Sequence, residues 1–205
     1  MKKIFTTLFV FISFYQFANA QSYSRNEFSV GVGFNGSYIS NVDNEHTDGK
    51  LGFNARIALD HYFSRSWSLN IGANYQQKGW GNGFVSFDDG SEIDGVDYKL
   101  GYLTIPVLAD WHFGRRKNWY LNFGPYVGFL LNASESSNTI PDTKSFFNGT
   151  DGGLAVGIGV KIPLNQQTNF FIEYGEQAGV ANVFKDSNTS VQNATSSLNI
   201  GISFK

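Results

Sequence analysis

The chain has 205 residues, no cysteine and a formal net charge of -2, with charged residues at 16% and aromatics at 17%. Lack of cysteine excludes disulfides, thiol nucleophiles and cysteine-based metal sites. The near-neutral balance, with no basic aromatic stretch, argues against a nucleic-acid partner, and the charged fraction falls well below the roughly 25% of soluble domains.

In chain order, Met1–Ala20 reads as a cleaved secretory signal: Lys2 and Lys3, an apolar run from Ile4 to Phe17, and Ala18-Asn19-Ala20 as an A-x-A cleavage site. The run is shorter than the about 20 apolar residues that a membrane-spanning helix needs. The expected organisation is therefore a signal over 1–20 and one domain over 21–205, with Gln21–Asn26 as a short lead-in.

Eight stretches follow, over 27–40, 51–63, 67–80, 98–113, 119–132, 152–164, 169–181 and 194–204. Phe28, Val30, Val32 and Phe34 alternate with Ser29, Gly31, Gly33 and Asn35, and Leu154, Val156, Ile158, Val160 and Ile162 alternate with Gly153, Ala155, Gly157, Gly159 and Lys161. Side chains alternate faces along a strand, so each run presents one apolar face and one small or polar face. In an exported chain, this pattern predicts an all-β fold: an eight-stranded antiparallel up-and-down transmembrane β-barrel with its apolar face in lipid.

The predicted connections alternate in length. Ser64–Ser66, Gly114–Asn118 and Asn165–Thr168 are short, whereas Asn41–Lys50, Gly81–Asp97, Ala133–Asp151 and Asn182–Asn193 are long and polar. Short periplasmic turns and long external loops are the outer-membrane pattern. Phe28, Phe63, Trp67, Trp111, Phe113, Trp119, Phe170 and Phe204 fall at strand ends beside the short turns or the chain ends, which predicts a periplasmic-side aromatic girdle.

Strand parity turns Arg56, Asp60, Lys78, Asp110, Lys161 and Glu173 inward. Eight strands enclose a lumen that side chains fill, so these three cations and three carboxylates are expected to pair as a plug that holds the barrel in register, with a proton or ion path as the alternative. Asp60, Asp110 and Glu173 are the candidate neighbours of Lys161, and Lys78 belongs near the outer mouth. The inward glycines are expected to make room for the long charged side chains. Glu176 would face lipid in a regular strand, so a bulge near Gly175 is predicted to turn it inward. Pro106 and Pro163 are predicted inward, each at a bulge or gap in the ladder, and Pro125 is predicted to break its strand.

Little suggests chemistry. His112 shares a face with Asp110, and Ser68 is a plausible neighbouring hydroxyl, but a catalytic site needs more than two residues on one face; no enzyme activity and no cofactor are expected. His46 falls in a loop and His61 at the lipid interface. The run Asp88-Asp89-Gly90-Ser91-Glu92-Ile93-Asp94-Gly95-Val96-Asp97 is acidic, but its spacing is not that of an EF-hand, so a solvated loop is expected.

Three blocks carry a family likeness. Tyr102-Leu103-Thr104-Ile105-Pro106-Val107-Leu108, the run from Tyr120 to Leu131 with its Gly124-Pro125-Tyr126-Val127-Gly128 core, and Gly157 to Leu164 followed by Glu173-Tyr174-Gly175 resemble blocks of the PorT-like outer-membrane β-barrel proteins of Bacteroidota. The resemblance implies an eight-stranded outer-membrane barrel of a Gram-negative bacterium and no single activity. The functional expectation is a side-chain-filled barrel with a structural or surface-interaction role through four external loops. Its partners would be outer-membrane lipid and lipopolysaccharide, and a protein at the loops. The alternatives are a narrow channel or accessory subunit of a secretion or uptake assembly, and a soluble lipocalin-like carrier with its apolar face inward.

Overall fold

In the computed structural model, the described residues are 25–40, 47–86, 90–185 and 190–205. The expected signal over 1–20, His46, Asp88 and Asp89 lie outside them. Eight strands form one closed ring: β1 (Arg25–Ser40), β2 (Asp48–Tyr62), β3 (Trp67–Ser86), β4 (Glu92–Phe113), β5 (Trp119–Glu135), β6 (Thr150–Pro163), β7 (Thr168–Gly179) and β8 (Gln192–Phe204). Each strand pairs antiparallel with the next, and β1 pairs with β8, Phe28 opposite Phe204. Closure leaves no sheet edge, the condition for a sheet to exist in lipid. Both described chain ends therefore lie at the end of the barrel that carries the short turns.

The two faces differ in the way the alternation requires. Phe34, Ile57, Val156, Ile158 and Ile200 point outward and are exposed, while Asn35, Asn54, Asn70, Gln76, Thr104 and Asn199 point inward and are buried. Apolar outside and polar inside is the reverse of a lipocalin, and the soluble-carrier alternative is not favoured.

The largest departure from expectation is at the outer end. The Gly81–Asp97 segment, rich in glycine and aspartate, was expected to be a loop, yet β3 and β4 continue through most of it, with Val85 opposite Ile93 and Ser86 opposite Glu92. The hairpin forms because Val85 and Val96 bury themselves in an apolar cluster with Trp80, Tyr98, Leu100, Tyr102, Leu130 and Phe147. Burial at roughly 25 cal/mol per Å² of apolar surface outweighs the weak strand preference of Gly and Asp. A short 3-10 helix, Thr143–Phe146, lies within the β5–β6 connection.

The prolines act locally. Between Ile71–Val107 and Asn74–Thr104, the β3–β4 ladder skips Pro106, which is inward and buried. Pro125 does not break β5: the strand runs on through Leu130, keeps its pairing with β6 at Leu154, and loses pairing only on the β4 side. Proline lacks a donor, so one side of the ladder is given up and the other carries the strand. Pro163 is the last residue of β6 and is exposed rather than buried in the lumen, because the strand ends there.

The topology makes a direct prediction. A protease site inserted between Ala133 and Asp151 should be cut on intact cells, and one inserted in Gly114–Asn118 only after the outer membrane is opened. Cleavage of the second site on intact cells would reverse the orientation.

Candidate functional site

The lumen is a stack of polar layers. Nearest the short turns, Ser68 Oγ and His112 Nε2 are 3.0 Å apart, and the His112 ring lies against Tyr62 and Tyr120 at 4.9 and 5.8 Å between centroids. Above them, Lys161 Nζ donates to Glu27 at 2.8 Å, to Asp60 at 3.0 Å and to the Tyr62 hydroxyl at 2.9 Å. Asp60 also accepts from Asn70 at 2.6 Å. In the next layer, Arg56 pairs with Glu173, which accepts as well from Tyr120 at 2.9 Å and Asn122 at 3.0 Å. Thr104 donates to Gln76 at 2.9 Å higher up. Near the outer mouth, Lys78 pairs with Asp151 at 2.9 Å, fully buried, with its Nζ 5.0 Å from the centre of the Tyr126 ring.

All six lumen residues named from sequence parity line this stack, but their pairing differs from the expected one. Glu173 is held by Arg56, not by Lys161, and Asp110 forms none of the ion pairs; its Oδ1 has no hydrogen-bond partner. Sequence reasoning missed two partners, Glu27 and Asp151. Glu27 stands at the first position of the expected strand and Asp151 at the end of an expected loop, so neither was weighed as an inward residue. Continuing the alternation by one step, from Ser29 back to Glu27 and from Gly153 back to Asp151, places both inside. Each of the ion-paired layers joins strands that are not neighbours in the ring, and a buried ion pair of this kind loses about 3–5 kcal/mol when one partner is removed.

The inward glycines make room for rings more than for charges. A Cβ on Gly159 would collide with Tyr120 Cζ, and one on Gly201 would lie 2.5 Å from the Phe171 ring. Tyr120 can then reach over β6 to Glu173 on β7, and Phe171 packs beneath Arg56, whose Cζ is 5.6 Å from the ring centre.

The outer mouth carries an aromatic cluster. Trp80 stacks on Tyr98 at 4.9 Å, and Phe147 and Phe184 meet Trp80 edge-on at 5.9 and 5.8 Å. Phe147 and Phe184 are joined by a single β-bridge between two external connections. Two cavities within the lumen measure about 40 Å³ and about 10 Å³, enough for a few waters.

On the outside, the eight aromatic residues named from the sequence sit at the short-turn end, while Phe34, Phe53 and Phe129 are exposed farther along the strands. Trp67 is opposite Trp111, and Phe113 opposite Trp119. Trp111 stacks on Phe113 at 5.1 Å. Phe28, Phe63, Trp67, Trp111, Trp119 and Phe204 are exposed, and Phe113 and Phe170 half-buried. His61 is exposed beside them, bonded to Asn26 at 2.8 Å.

Glu176 corrects the sequence reading. The β6–β7 ladder runs without a shift through Gly157–Gly175 and Val156–Glu176, so there is no bulge and the carboxylate points outward. Its Oε1 accepts a 2.6 Å hydrogen bond from the Tyr174 hydroxyl, and Ser196 stands opposite on β8. A carboxylate on the lipid face costs less than Lys or Arg and least near an interface, so a regular ladder is retained.

Ser68 and His112 are both buried in the lumen. Among the described residues, no cluster of three or more His, Cys, Asp or Glu is placed to hold a metal ion. In the acidic segment, Asp97 pairs with Lys50 at 2.6 Å.

The closed ring and its polar interior agree with sequence comparison: residues 14–185 match the family described as outer membrane protein beta-barrel domain. The chain belongs to that family. No curated protein matches it in sequence. Among solved structures, it resembles Neisserial surface protein A at 16% identity over 87% of this chain and 96% of the other, with a TM-score of 0.52. OprG from Pseudomonas aeruginosa is similar at 13% identity, 89% and 96% coverage and a TM-score of 0.52. Ail of Yersinia pestis, solved with the heparin analogue sucrose octasulfate, shares 16% identity over 88% and 99%, with a TM-score of 0.47. At such identities, the first two likenesses speak for the eight-stranded outer-membrane fold alone.

Proposed function

We infer that this outer-membrane barrel acts through its outer surface: a rigid, side-chain-filled cylinder that presents its external connections to lipopolysaccharide or to a protein at the cell surface. The observation that carries this reading is the stack of layers ending in the Trp80–Tyr98–Phe147–Phe184 cap. A barrel built to pass solutes would keep its mouth open, whereas here the external hairpins spend their apolar residues on packing against one another. The buried ion pairs are then the register-holding plug, and the aromatic ring at the short-turn end is the periplasmic girdle. Membership of the PorT-like branch and export by the 1–20 leader belong to the same proposal, as does the lack of a catalytic or cofactor role.

Conductance is the test. Purified protein in planar bilayers should pass essentially no current, because the 40 Å³ cavity is too small to form a continuous water path. Stable single-channel steps would favour the narrow channel instead. A variant with Gly81–Asp97 replaced by a short turn should still insert while losing binding to the cell-surface partner.

A further inference from the structure

We propose that the short-turn half of the lumen binds one small monovalent cation through the oxygens of Asp110, Asn70 and Asp60. Two buried acceptor oxygens there, Asp110 Oδ1 and Asn70 Oδ1, have no hydrogen-bond partner. The amide orientation of Asn70 is set by its Nδ2, which donates to Asp60 at 2.6 Å, so the oxygen is the atom left over. Asp60, Asn70 and Asp110 all line the same cavity of about 10 Å³, together with Arg56, Lys161 and Glu173, whose charges pair elsewhere; it is the size of one water or one small ion.

The charges of this half do not balance. The described ionic groups are Glu27 on β1, Arg56 and Asp60 on β2, Asp110 on β4, Lys161 on β6 and Glu173 on β7, with Arg25 at the rim pairing with Glu27 at 3.3 Å. Tyr62, His112 and Tyr120 complete the surroundings. Four carboxylates face three cations, and Asp110 is the one left without an ion pair. A buried uncompensated charge is strongly unfavourable, and two orphan acceptors call for a positive ligand rather than another acceptor. One negative charge is in excess, so a single monovalent cation balances it. Oxygen donors of this kind suit a hard cation such as Na⁺. Arg56 Nε, also unpartnered, borders the adjoining 40 Å³ cavity, where a water can accept from it.

The experiment compares thermal unfolding in detergent as NaCl replaces choline chloride at fixed ionic strength and pH. A ligand of the folded state raises the midpoint saturably. Wild type and the exposed-loop control Asp142→Asn should show that rise, and Asp110→Asn, which removes the excess charge with little change of shape, should lose it. Sodium NMR line broadening on the wild-type barrel, reversed by unfolding, reads the site even if Asp110→Asn fails to fold. Identical unfolding in both salts with no broadening overturns the proposal. So does a barrel indifferent to Na⁺ whose stability depends on pH through Asp110, since a proton then carries the charge.

Discussion

Replacing Lys161 with methionine lowers the stability of the barrel by about 3–5 kcal/mol, the usual cost of breaking a buried ion pair from one side. The ammonium holds Glu27 and Asp60 together from β1 and β2 while standing on β6, so its removal leaves buried Asp60 with no ion pair and Glu27 with only the rim residue Arg25. A second substitution should recover part of the loss if it neutralises a stranded partner: Asp60→Asn or Glu27→Gln on the Lys161→Met background. Glu173→Gln should not, because Glu173 is held by Arg56, Tyr120 and Asn122. Double-mutant cycles on detergent unfolding measure these couplings. Additivity within about 0.5 kcal/mol for Lys161 with both Glu27 and Asp60 would mean that these pairs carry no coupling and that the lumen is wetter than eight strands allow.

The second large effect is expected on the opposite face. Ile158 stands midway along β6, outward and 41% exposed, between Val156 and Val160. Ile158→Arg should destabilise the barrel in lipid by about 2–4 kcal/mol, the cost of a midplane arginine. Gly157→Ser, one step along and inward, should cost less, although its Cβ would approach Asn122 Oδ1 at 2.6 Å, so a shift of that amide is needed. Unfolding from vesicles separates the two, and a harmless Ile158→Arg would mean that this face does not meet hydrocarbon.

Both expectations rest on the alternation of small or polar with apolar residues, and that alternation was plain in the chain itself. Val30 beside Gly31 or Ile158 beside Gly159 can be sorted to opposite faces by counting, because the period of a strand is two and local. The same counting brought Arg56, Asp60, Lys78, Asp110, Lys161 and Glu173 into the lumen. It stopped short at Glu27 and Asp151, where polar neighbours hid the last step of each strand.

Which charge meets which is another matter. Lys161 and Asp60 are 101 positions apart in the chain and Lys78 and Asp151 are 73 apart; their meeting depends on the stagger of the closed ring, which no single strand records. The expected bulge at Gly175 failed for a related reason. A lone lipid-facing glutamate looked too costly, but Tyr174 supplies a hydroxyl on the same face, and the paired ladders on both sides of β7 make a slip costlier than an outward carboxylate. The external end was least legible. Val85, Val96, Phe147 and Phe184 come from three connections, and only their convergence over the barrel mouth creates the apolar surface that turns an expected loop into strand. Local periodicity determined the strands, their faces and the membrane; contacts between distant segments decided the ion pairs and the apolar cluster at the outer mouth, because those energies exist only once the ring has formed.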